Sequence, residues 1–193
     1  RIVEGSIHLD GIDLTGLTDK EMQDVRGNKI GMVFQEPLTS LNPVLRIGDQ
    51  LSEGLLVHKR LSKEEARNLS LQLLEKVGFD SVQKRYTQYP HQLSGGQRQR
   101  VLIAMAISCS PALVIADEPT TALDVTIESQ ILRLLQMLIE EYRLSMLFIT
   151  HNLGIIRRIG TTIGIMYAGR MVERRRVEEF FEKPKHPYSK GLL

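Results

Sequence analysis

Two short apolar runs flanking one amphipathic stretch set the architecture of this chain. Ala112-Leu-Val-Ile-Ala116 ends in Asp117 and Glu118, and Ser145-Met-Leu-Phe-Ile-Thr150 ends at His151. Continuous apolar runs of this length read as strands buried on both faces. Between them, residues 125–142 place Ile127, Ile131, Leu134, Leu135, Leu138 and Ile139 along one helical face. Strand, helix and strand within this distance predict a right-handed crossover joining parallel strands. The expected fold class is therefore α/β around a parallel sheet.

The flanks add to the sheet and the middle does not. Gly5 to Leu14 alternates apolar and polar residues around Asp10-Gly11, the pattern of a tight antiparallel β hairpin. Thr18-Asp-Lys-Glu21 is a capping box opening a short helix that Gly27 can close. Lys29 to Gln35 reads as a strand. Pro37 and Pro43 frame a loop, and residues 44–58 look helical. A second capping box, Ser62-Lys-Glu-Glu65, starts a helix that stops at Gly78. Later come a strand near 162–167, Gly169, a last strand, a helix around 177–183 and a Pro-containing tail. The expected organisation is a hairpin region with one strand over 1–36, an inserted helical subdomain over 37–110, and a core over 111–193.

Composition excludes several classes of function. The 25 basic and 23 acidic residues nearly cancel, so no basic face for nucleic acid is expected. Arg174, Arg175 and Arg176 are surrounded by Glu173, Glu178 and Glu179 and read as solvated surface. Cys109 is the only cysteine, which rules out an internal disulfide and reads as a small buried hydrophobe. The longest apolar stretches fall far short of the ~20 residues a membrane span needs. The start shows no signal peptide, and the first residue is Arg1 rather than Met.

Chemistry gathers at the strand ends, where open parallel sheets bind ligands. Gln35, the pair Asp117-Glu118, and His151 each follow a strand, so neighbouring strands would bring them to one edge. A strand can also end at a polar residue simply because the core ends there. The segment Leu93-Ser-Gly-Gly-Gln97 precedes an apolar helix. Ser94 suits the N-cap, and Gly95 and Gly96 let backbone approach a ligand. The helix then aims its free amides and about half a positive charge forward, as a phosphate site would. Ser-Gly-Gly alone is an ordinary loop.

Taken in order, these segments resemble one family, the ATP-binding subunits of ABC transporters. Leu93–Gln97 resembles the signature sequence, and Leu113-Val-Ile-Ala-Asp-Glu118 the Walker B strand with its following glutamate. Ala122-Leu-Asp124 resembles the D-loop, His151 the switch histidine and Gln35 the Q-loop. The resemblance implies a P-loop NTPase (RecA-like) core with ATP and Mg²⁺ as ligands. It implies that Asp117 and Gln35 serve the metal, and that Glu118 and His151 are catalytic. Gln35, Ser94, Gly95, Gly96, Gln97 and Asp124 would then contact or frame nucleotide, the signature completing the site of an opposite ATPase subunit. Implied partners are that second subunit, integral membrane permeases that dock on residues about 36–58, and indirectly a substrate-binding protein, with no nucleic acid. The implied location is the cytoplasmic face of the membrane.

Finer features point to the oligopeptide and dipeptide importer branch, which also serves nickel and glutathione. They are Phe34-Gln-Glu-Pro-Leu-Thr-Ser-Leu-Asn-Pro43 and the tail Lys185-His-Pro-Tyr-Ser-Lys-Gly-Leu-Leu193. His186, Pro187 and Tyr188 read as a rigid structural turn with an aromatic lid. Asn152 stands where the branch usually has aspartate, and Thr161-Thr162 where it has an acidic-basic pair. A non-transport ABC ATPase of the repair type would interrupt the interval 36–93 with a coiled coil, whereas here compact helices occupy it. The Walker A motif needs a Gly-Lys dipeptide, and none occurs in the chain. The expectation is that the phosphate loop lies upstream of Arg1 and that the 193 residues alone are inactive; an inactive ABC-like fragment is the alternative. Without the loop's strand and helix, an apolar face is expected to be exposed.

Overall fold

The computed structural model describes residues 4–121 and 123–193, with backbone alone at Leu38. Among them, one compact unit runs to Leu147 and a second spans Phe148–Leu193.

In the first unit, Asp10 (φ 49°) and Gly11 (φ 80°) both adopt left-handed backbone, as a two-residue hairpin turn demands. They join β1 (His8–Leu9) to β2 (Ile12–Asp13), with His8 opposite Asp13. Thr18 and Glu21 form the expected capping box on α1 (Asp19–Val25). After it comes β3 (Ile30–Val33), shorter than the 29–35 expected.

The loop framed by Pro37 and Pro43 holds a single-turn helix, α2 (Pro37–Ser40), and α3 (Ile47–His58) starts three residues later than the pattern implied. Gln50 explains the delay. Its side chain accepts from the Asn42 amide at 2.8 Å and donates to the Asn42 and Leu45 carbonyls at 3.0 Å each, which holds residues 42–45 in a turn. The helices α4 (Lys63–Lys76), with its Ser62–Glu65 capping box, α5 (Val82–Thr87) and α6 (Gly95–Ile107) complete the helical middle.

The crossover follows as β4 (Leu113–Asp117), α7 (Val125–Tyr142) and β5 (Ser145–Ile149). Strand order is β3-β4-β5. β3 and β4 are parallel, Ile30 pairing with Leu113 and Val33 with Ala116. α7 buries Ile131, Leu132, Leu134, Leu135 and Leu138, each contributing about 1.5–3 kcal/mol of hydrophobic stabilisation. On the face of β3 that carries Gly31 and Val33, α6 approaches so closely that a Cβ on Gly31 would lie 2.0 Å from the Ala106 carbonyl oxygen.

The strands are not buried on both faces, contrary to the reading of their apolar runs. Val114 and Ala116 are buried, but Leu113, Ile115 and Asp117 between them are partly open. In β5, Leu147 is 52% and Ile149 43% exposed, and Met32 on β3 is 38% exposed. Alternation of covered and open residues marks strands with one unlayered face. This agrees with the expectation of an exposed apolar face.

The second unit contains α8 (Leu153–Ile159), β6 (Thr162–Tyr167), β7 (Arg170–Arg176), α9 (Val177–Glu182) and α10 (Pro187–Leu192). β6 and β7 form an antiparallel hairpin over Ile163, Ile165, Val177 and Phe180. The tail is a short helix rather than a bare turn, with the Tyr188 ring 4.5 Å from that of Tyr167. The buried Glu173 holds its start, accepting the Lys185 and His186 amides at 2.9 Å each. Burial pushes this carboxyl up, but the nearby Ser189 hydroxyl, the two amides and the Arg175 guanidinium outweigh it and hold it at about 2. Arg176 pairs with Glu178 on the surface as expected, whereas Arg175, only 19% exposed, pairs with Glu179 and donates to the Lys183 carbonyl at 2.7 Å, so the run is not solvated throughout.

Candidate functional site

Parallel pairing of β3 with β4 places the residues after both strands side by side. Gln35, two residues beyond β3, donates from Nε2 to Glu118 Oε2 at 2.9 Å, although 83 positions separate them. The same oxygen accepts from the Thr121 hydroxyl at 2.9 Å, and the Thr121 amide closes a turn onto the Glu118 carbonyl at 3.1 Å. Glu118 has φ 44°, a left-handed conformation that a non-glycine residue adopts at a cost of about 1–3 kcal/mol and that concentrates at functional sites. Asp117, half-buried, is the last residue of β4 immediately before it.

The second cluster surrounds the start of α6. Ser94 accepts the Gln97 amide at 3.3 Å, and the Gln97 side chain accepts the Ser94 amide at 3.0 Å, completing a capping box. The sequence reading gave Ser94 its role and missed that of Gln97, although serine followed at the third position by glutamine was the signal. Gly96 is buried for a second reason: a Cβ there would meet Ile127 Cγ2 at 2.6 Å. Gly95 is open enough that the nearest atom to such a Cβ is Leu123 Cδ2, at 3.8 Å. The loop is thus packed on the start of α7, where Asp124 caps the helix by accepting the Ile127 amide at 2.9 Å. Ala122, expected in the D-loop, lies outside the described residues. A cleft of about 250 Å³ opens here, lined by Ser94, Gly96, Gln97, Arg85, Arg100 and Ile127. Arg100 donates to the Val77 carbonyl at 2.6 Å and to Gln130 at 3.1 Å, tying α6 to α7. Further along α6, Gln99 is 1% exposed, and neither of its amide atoms has a partner among the described residues.

His151 belongs to the second unit, two residues after β5. Beside it, Asn152 caps α8 by accepting the Gly154 amide at 2.9 Å, so the amide oxygen supplies the cap that an aspartate would.

What this arrangement can bind follows from its donors. Gln35, Asp117 and Glu118 form a small carboxylate and amide set at the end of β3 and β4, which suits a hard cation that keeps several waters. Among the described residues, no group of three or more His, Cys, Asp and Glu side chains could hold a metal ion. Among them too, no helix is long and apolar enough to cross a membrane.

Comparison with known proteins places this geometry. The sequence model of the family described as "ABC transporter" matches residues 1–121. The chain is 50% identical to the oligopeptide transport ATP-binding protein AppD of Bacillus subtilis, over 100% of this chain and 59% of that protein. It is 51% identical to OppD of the same organism, an oligopeptide transport ATP-binding protein, over 98% of this chain and 53% of that one. The chain therefore spans little more than half the length of these relatives. Among solved structures it resembles the ATP-binding cassette MJ0796, determined as a dimer bound to ADP and phosphate. That similarity has a TM-score of 0.80 and 33% identity, covering 91% of this chain and 74% of that one. The cbiO1 subunit of Clostridium perfringens, part of an ABC transporter complex, gives a TM-score of 0.80 at 27% identity, covering 94% and 69%. The family match over residues 1–121 and these similarities show that the chain belongs to the ABC transporter family.

Proposed function

We propose that the chain is the water-activating and signature-bearing part of an ATPase subunit that energises import of oligopeptides or dipeptides. The carrying observation is the hydrogen bond from Gln35 to Glu118, which joins the ends of two parallel strands at a residue with left-handed backbone. The similarity to AppD and OppD, both oligopeptide transport ATP-binding proteins, favours oligopeptides as the cargo.

In this reading Glu118 orients the attacking water and takes its proton. The water oxygen bonds to the γ-phosphorus while the bond to the β–γ bridging oxygen breaks, yielding ADP and phosphate. Asp117 and Gln35 would hold Mg²⁺, which would supply positive charge against the phosphates. His151 contacts the γ-phosphate. Ser94, Gly95, Gly96 and Gln97 present the amino-terminal amides of α6 to nucleotide on an opposite subunit, with Asp124 at the seam. Little covalent work falls to the protein, so catalysis here is positioning and charge stabilisation. Residues 37–110 act as the helical subdomain, residues about 36–58 receive a membrane permease, and the subunit works at the cytoplasmic face of the membrane.

Glu118→Gln in the full-length protein tests the reading. ATP turnover is expected to fall by at least about 100-fold, with ATP-dependent dimerisation retained. Turnover close to that of the parent would remove Glu118 from the catalytic role.

A further inference from the structure

Two consecutive threonines follow Pro119, and they serve different ends. Thr120 is buried, at 7% exposure, and belongs to the interior. Thr121 is partly open and directs its hydroxyl to Glu118 Oε2 at 2.9 Å. The turn does not depend on that hydroxyl, because the Thr121 backbone amide already closes it onto the Glu118 carbonyl at 3.1 Å. Valine, with nearly the same shape, could fill the position.

The hydroxyl shares its acceptor with Gln35 Nε2, also at 2.9 Å. Two donors on one carboxylate oxygen fix rotation about the last side-chain torsion, so the position of the second oxygen is set rather than averaged. The two donors differ in permanence. Gln35 is exposed and comes from a strand end 83 residues away, whereas Thr121 is three residues along the same turn. The Thr121 donor is therefore fixed to Glu118 by the turn itself, whereas that of Gln35 depends on where the segment after β3 lies.

We propose that Thr121 is a positioning residue for ATP hydrolysis: its hydroxyl holds the Glu118 carboxylate in the orientation that receives the proton of the attacking water. This rests on the reading of Glu118 as the water-activating group.

The test compares Thr121→Val, Thr121→Ala and Thr121→Ser with the parent and with Glu118→Gln, all in the full-length protein, by steady-state ATP turnover at one pH. Loss of one hydrogen bond to an ionised group is expected to lower kcat about tenfold in the valine and alanine variants. KM for ATP stays within about twofold, because the hydroxyl does not bind substrate. Serine, which keeps the hydroxyl, restores kcat, whereas a threonine needed only for packing would be replaced best by valine. Turnover in the valine and alanine variants equal to or above the parent, or a serine variant no faster than the valine one, overturns the proposal; either result, with Glu118→Gln inactive, leaves the catalytic glutamate standing. An active Glu118→Gln would instead remove the foundation of both.

Discussion

Glu173→Gln tests how the carboxyl-terminal helix is held to the hairpin. Glu173 is 8% exposed, and its two oxygens accept the Lys185 and His186 amides at 2.9 Å each. Its folded pKa of about 2, against an ordinary 4.5, corresponds to about 3 kcal/mol of preference for the ionised form in the folded state. Because the folded value is depressed, this stabilisation is fully present above about pH 5 and is lost as the pH falls towards 2. Glutamine keeps the shape but removes the charge, and its NH₂ group faces an amide that needs an acceptor. A loss of about 2–3 kcal/mol is expected at neutral pH. Backbone hydrogen exchange at Lys185 and His186, corrected for intrinsic rates, reads the effect locally. Protection should fall by about 30- to 150-fold in the variant at pH 7. In the parent, the same loss should develop on acidification between pH 5 and 2. Unchanged protection in the glutamine variant, or parental protection that persists at pH 2, would show that the carboxylate does not hold the tail.

Two further variants probe the first unit. Gly31→Ala places a methyl 2.0 Å from the Ala106 carbonyl oxygen, and backbone cannot rotate aside as a side chain can. Destabilisation of at least about 3 kcal/mol is expected in urea unfolding, and a change below about 1 kcal/mol would refute direct backbone packing of α6 on β3. Gln99→Leu replaces a buried amide that has no partner among the described residues; unfolding free energy should rise by about 1 kcal/mol, and a fall instead would mean that ordered water satisfies the amide.

Local grammar was readable from the sequence and long-range geometry only in part. Asp10-Gly11 demanded its hairpin, and Thr18 and Ser62 their capping boxes, because each depends on residues within one turn. The meeting of Gln35 with Glu118 was foreseeable only as a rule about strand ends. The hydrogen bond itself depends on the register of β3 against β4. Glu173 was read as one charge beside an arginine run, since nothing in a single-residue pattern says that two amides 12 and 13 positions away will bury it. Leu147 and Ile149 looked like core because periodicity reports apolarity and not which layers exist to cover it. The delayed start of α3 came from Gln50, a side chain acting on backbone five and eight residues earlier.

The parallel pairing of β3 with β4 also sets a schedule for synthesis. Gln35 and Glu118 lie 83 residues apart, and at about 5–20 residues per second a ribosome needs roughly 4–17 s to deliver the second after the first. Throughout that interval Ile30 to Val33 waits for its partner strand Leu113 to Asp117. The helices α3, α4 and α6 are made meanwhile, from mostly local contacts that form quickly. The order of emergence therefore favours a helical body that assembles first and shelters an apolar edge, with the pairing of β3 to β4 and the contact of Gln35 with Glu118 closing onto it later.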